Sequence, residues 1–113
     1  MAISQILPVT SHLAPSHEID VELFTFIERY ATNLTRLDLL IYFGQHPSLQ
    51  LNTLEIAKRI GRATRSVQKE LDDLVYLGIL RVNRNAGNAH YGLTRTPATR
   101  RAVVRLAREY SNT

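Results

Sequence analysis

The chain has no cysteine, which excludes disulfides and thiolate metal sites. It has no apolar run long enough to span a bilayer. No Gly-rich phosphate loop and no nucleophile motif occurs in it. His12, His17, His46 and His90 are scattered, with no tight carboxylate cluster beside them, so no metal site is expected. Asp72 and Asp73 are adjacent and would face different directions on a helix, so they do not form an acid–base pair. Catalysis and a bound cofactor are therefore not expected. The opening stretch, residues 1–8, has no basic residue ahead of its apolar positions and is a poor secretory signal. A cytoplasmic location without membrane attachment is the expectation. No internal repeat and no low-complexity tract is present.

What is present is charge, unevenly placed. The 113 residues carry a net charge of +4, and twelve of the fourteen basic side chains are Arg. Residues 1–57 hold two basic and six acidic side chains, whereas residues 58–113 hold twelve and four. No anion interrupts the five cations from Lys58 to Lys69, nor the seven from Arg81 to Arg108. An acidic front and a basic back give the back a preferred anionic partner.

The hydrophobic pattern predicts mainly helices and one β-hairpin. Residues 1–17, with Pro8 and Pro15, read as an extended or mobile arm. Leu23, Phe24, Ile27, Tyr30, Ala31 and Leu34 recur at helical spacing and predict a helix over 18–34. Thr35, with Asp38 three residues on, suggests the cap of a second helix whose inner face is Leu37, Leu40, Ile41 and Phe43, ending near Gly44. Residues 49–51 alternate as a short strand would. Asn52 and Glu55 form a capping box for a third helix, which Gly61 closes. A further helix is predicted from about Thr64 to Leu77, with Val67, Leu71, Leu74 and Val75 inward and Gly78 after it. Residues 80–83 and 90–94 alternate as the strands of a hairpin, joined by a polar loop over 84–89. Thr96-Pro97 opens a last helix, predicted over 97–111, with a stripe of Ala102, Val103, Leu106, Ala107 and Tyr110.

The order helix, strand, helix, tight turn, helix, hairpin has a mechanism attached. A tight helix-turn-helix lets its second helix enter a major groove, which is about 12 Å wide. The outward residues of that helix would be Thr64, Arg65, Ser66, Gln68, Lys69 and, further along, Asp72. Arg can pair with guanine edges and Gln with adenine edges, while hydroxyls bond bases or phosphates.

The segments Leu54-Glu55-Ile56-Ala57-Lys58-Arg59-Ile60-Gly61, Val67–Leu74, Leu77-Gly78-Ile79-Leu80 and Tyr91-Gly92-Leu93-Thr94 together resemble bacterial winged helix-turn-helix regulators of the MarR, ArsR and PadR type. The resemblance covers residues 36–94. It implies an α+β winged-helix fold with extra helices at both ends, over residues 18–113 as a single domain. It implies double-stranded DNA as partner, with base reading and turn contacts at Arg62, Thr64, Arg65, Ser66, Gln68 and Lys69. Wing contacts fall on Arg84, Asn85, Asn88 and His90. Such regulators usually present Ser or Thr as the cap of the reading helix. Here Ala63 stands at that position, and Thr64 is the nearest side chain able to replace it.

Two amphipathic helices outside the minimal winged helix carry more apolar surface than a small core needs. A homodimer is therefore expected, through Leu23, Phe24, Ile27, Tyr30, Val103, Leu106, Ala107 and Tyr110, with reading helices about 34–36 Å apart. A winged helix that serves as a protein-interaction module is the alternative, distinguished by an apolar or acidic reading face. An effector pocket is not legible in the sequence.

Overall fold

The computed structural model describes residues 14–111 apart from residue 86, and side chains from residue 21 to residue 110 apart from the same position. Helix α1 runs Ala14–Tyr30. It begins four residues before the predicted start. Pro15 lies in the first turn, where its missing N–H costs no hydrogen bond. Residues 14–17 are thus helical rather than an extended arm, and the rest of the expected arm lies outside the described residues.

Helix α2 runs Leu34–Gln45 and is capped by Asn33, not Thr35. Asn33 is extended, and its side-chain oxygen accepts from the Arg36 backbone N–H at 2.8 Å. That places Thr35 inside the first turn. It also makes Leu34 the first residue of α2, largely exposed, rather than the last of the α1 stripe. Helix α2 ends at Gln45, one residue past Gly44 and just ahead of His46-Pro47, as expected. A Cβ on Gly44 would come within 2.5 Å of the Val103 carbonyl oxygen and 2.6 Å of the Ala107 Cβ. Gly44 is where α2 crosses α5, which runs Pro97–Ser111.

Strand β1 (Gln50–Leu51) leads into α3 (Thr53–Ile60). The predicted capping box is formed in both directions between Asn52 and Glu55, and Gly61 closes α3 with φ 71°. After residues 61–63, α4 runs Thr64–Tyr76. The cap has not moved to Thr64: Ala63 is the N-cap and offers no side-chain bond.

Strands β2 (Leu80–Asn85) and β3 (Asn88–Leu93) form the hairpin, and β1 pairs antiparallel with β3 to give the sheet order β1-β3-β2. The hairpin is longer than predicted. Arg84 pairs with Ala89 and Asn85 with Asn88, and Gly87 lies in the turn at φ 83°. The backbone ladder needs no apolar anchor, and Gly87 supplies the positive φ that tight hairpin turns favour.

The core gathers Leu39, Leu40 and Phe43 of α2, Ile56 of α3, and Val67, Leu71 and Leu74 of α4 under the sheet. Leu39, absent from the predicted α2 face, is fully buried, while Leu37 and Ile41 are only half-buried. Val103, Leu106 and Ala107 are also sealed inside, at 0%, 0% and 1% exposure. The chain's own α2 covers these three α5 residues, so they are not available to a second chain as the sequence suggested.

Candidate nucleic-acid interface

The front of α4 is a bare helix end. Thr64, Arg65 and Ser66 are exposed, and the first turn holds no acidic residue. Val67, immediately behind them, is fully buried and seats the helix on the core. Arg65 therefore leaves the helix opposite an apolar anchor, and no ion pair or side-chain hydrogen bond among the described residues holds it.

Other cations of the same stretch are engaged. Arg62 Nε donates to Asp38 Oδ2 at 2.6 Å, tying the turn to α2. Lys69 Nζ lies 3.3 Å from Asp73 Oδ2 and 3.7 Å from Glu70 Oε2, with its side chain still 72% exposed. Arg59 donates to the Tyr42 hydroxyl at 3.1 Å.

The hairpin presents a second basic element. Arg84, Asn85 and Asn88 are exposed near its tip, in strand rather than loop, while His90 is half-buried further down. Arg81 donates to the Leu93 carbonyl at 3.1 Å, and so serves the sheet.

These elements stand in a familiar relation: two helices joined by a tight turn, then a β-hairpin, flanked by a helix at each end. Solved structures share that arrangement. The chain superposes on HlyU from Vibrio cholerae N16961 with a TM-score of 0.63 at 18% identity, covering 81% of this chain and 96% of that one. It superposes on the transcriptional repressor BigR from Xylella fastidiosa with a TM-score of 0.63 at 17% identity, covering 92% and 95%. A third match is the S. aureus MepR–DNA complex, with a TM-score of 0.57 at 19% identity, covering 91% and 81%. The chain has the winged helix-turn-helix fold. No family model and no curated protein matches its sequence. The winged-helix architecture expected from residues 36–94 is thus met in fold, with α4 as its second helix and β2–β3 as its wing.

Two polar clusters inside this winged helix escaped the sequence reading. In the first, Arg36 of α2 reaches α4. Its guanidinium donates to Glu70 Oε1 at 2.9 Å and to Asp73 Oδ2 at 3.1 Å, and Asn33 Nδ2 donates to Glu70 Oε2 at 3.0 Å. The Arg36 and Glu70 side chains are 11% and 8% exposed. A signal for the pair was available: Glu70 lies three residues after Val67 and four before Leu74, on the apolar face, where a carboxylate needs a cation.

The second cluster centres on Gln68. Its Oε1 accepts from the Thr53 hydroxyl at 2.7 Å. Its Nε2 donates to Asp72 Oδ1 at 3.0 Å and to the Tyr91 hydroxyl at 3.0 Å. Nothing in the local sequence marks this, because Thr53 and Tyr91 lie 15 and 23 residues away.

Among the described residues, no three His, Asp or Glu side chains are grouped as metal ligands, and no helix is long and apolar enough to cross a membrane.

Proposed function

We propose that the chain binds double-stranded DNA sequence-specifically as a dimeric transcriptional regulator. The front of α4 enters the major groove, and the wing lies on the backbone or in the minor groove. The observation that carries this reading is the bare, anion-free start of α4, where Arg65 projects between Thr64 and Ser66 with no partner among the described residues. A guanidinium and two hydroxyls at the leading end of a helix are the groups that read base edges. Lys69, further along, suits a phosphate, as do Arg84, Asn85 and Asn88 at the wing tip. BigR, a transcriptional repressor, and MepR, solved with DNA, lend support through the shared fold.

Binding to duplexes selected from a random pool, measured across a salt series, tests the reading. Each phosphate contact contributes about −0.9 to the log–log salt slope. Arg65→Ala relaxes base preference, while Arg84→Ala weakens binding to every sequence alike and flattens the slope by about one contact. A wild-type chain with no salt-dependent affinity for duplex DNA overturns the proposal.

The dimer is proposed to form through α1. Val21 and Phe24 are 66% and 61% exposed there, whereas Val103, Leu106 and Ala107 of α5 are filled by the chain's own core. Leu23, Ile27 and Tyr30 are half-buried beside them, and Tyr110 lies at the far end of α5, 40% exposed.

A further inference from the structure

We propose that Gln68 is a positioning residue that sets the wing against α4, rather than a reader of bases; this rests on the DNA-binding reading above. A Gln side chain recognises adenine with one donor to N7 and one acceptor for the N6 amino group. Its amide has two N–H donors in all. Here both are committed, one to Asp72 and one to Tyr91. The orientation of the amide is fixed by chemistry: an ionised Asp72 can only accept, so Nε2 must face it and Oε1 must face the Thr53 hydroxyl. Turning the amide to an adenine edge would break its bonds to the Thr53 and Tyr91 hydroxyls, both part-buried.

The three partners of Gln68 belong to three different parts of the site. Thr53 is the first residue of α3, Asp72 is one turn along α4, and Tyr91 is in β3. Tyr91 is 2% exposed and occupies the middle of the sheet, opposite Leu51 of β1 and Val82 of β2. The wing tip at Asn88 lies three residues further along β3, about 10 Å at the usual strand rise. A tilt of the strand at Tyr91 is therefore magnified at Arg84 and Asn85. The Gln68–Tyr91 bond ties the α4 side chain directly to β3, and it holds the angle between the helix that reads and the arm that grips.

The test uses the full chain as wild type, Gln68→Met, Tyr91→Phe and the double variant. Affinity is measured for a selected duplex and for an unrelated one, and amide hydrogen exchange is followed over residues 82–91. Tyr91→Phe keeps the buried ring and removes only the hydroxyl, so it preserves the fold. Each single variant is expected to lose about three- to ten-fold in affinity for both duplexes, with base preference unchanged. The double variant is expected to bind no worse than the weaker single one, and exchange in the hairpin is expected to quicken in all three. A shift in base preference for Gln68→Met with Tyr91→Phe behaving as wild type overturns the proposal. So does hairpin exchange that is unchanged in every variant. The exchange measurement needs no DNA, so a chain that binds no duplex would overturn the DNA-binding reading while the role of Gln68 is still decided.

Discussion

At the scale of single residues, the chain separates cations that hold the fold from cations that face outward. Arg36 and Arg62 both pair with carboxylates across elements, but their surroundings differ. Removing Arg36 leaves the Glu70 side chain, 8% exposed, to the Asn33 amide and the largely exposed Lys69 ammonium 3.7 Å away, and leaves Asp73, 44% exposed, to Lys69. Breaking one side of a buried pair is costly because the other charge loses its buried partner. Arg36→Met is therefore expected to lower unfolding free energy by about 3 kcal/mol, the low end for such pairs because Asp73 is partly solvated. Arg62→Met breaks a pair whose members are 34% and 37% exposed, and should cost under about 1 kcal/mol. Urea denaturation of the two variants checks the order. Equal losses would mean that the Arg36 cluster is better solvated than its geometry indicates.

At the scale of elements, local signals and long-range contacts divide the work. The α3 cap, the Gly61 stop and the apolar face of α4 were legible because their causes lie within one or two helical turns. Asn33 and Thr35 are both capping residues, and the local sequence does not choose between them because the choice depends on where α1 stops. The end of α2 near Gly44 is legible, but the reason position 44 must be glycine is not. That reason, the approach of Val103 and Ala107 from α5, comes from residues about sixty positions away. Of the proposed reading face, Thr64, Arg65 and Ser66 were legible as an exposed helix front. The engagement of Arg62 and Gln68 was not, because their partners come from α2, α3 and β3.

Two variants test this division. Gly44→Ala puts a Cβ against a backbone oxygen that cannot rotate away, so a loss of about 3 kcal/mol or more is expected, seen as a lowered Tm. Ala63→Ser supplies the cap that α4 lacks and should raise stability by about 1 kcal/mol. If Gly44→Ala kept the wild-type Tm, α2 and α5 would not cross as closely as described.

At the scale of the whole molecule, the acidic and basic halves of the sequence are stitched together. Arg36 comes from the acidic half and pairs with carboxylates of the basic half, while Asp38 returns a negative charge to Arg62. The outcome is a chain in which the pairs of Arg36 and Arg62 cross the boundary, while exposed cations stand at the end of α3, the α4 front, the wing and α5. The remaining question of assembly falls on α1. Replacing Phe24 with Glu is expected to leave the secondary structure intact and convert a dimer to a monomer in sedimentation equilibrium, weakening binding to a two-half-site duplex. Wild-type protein that sediments as a monomer at all concentrations would remove α1 as the dimer surface.

The length of the paired hairpin bears on the speed of the proposed DNA binding as well as its strength. The ladder is paired out to Asn85 and Asn88. A wing built this way has little backbone entropy left to surrender when it meets a polyanion. Docking then has no ordering step to wait for. Its rate is governed by diffusion and by the attraction of the outward arginines, and it falls as added salt screens them.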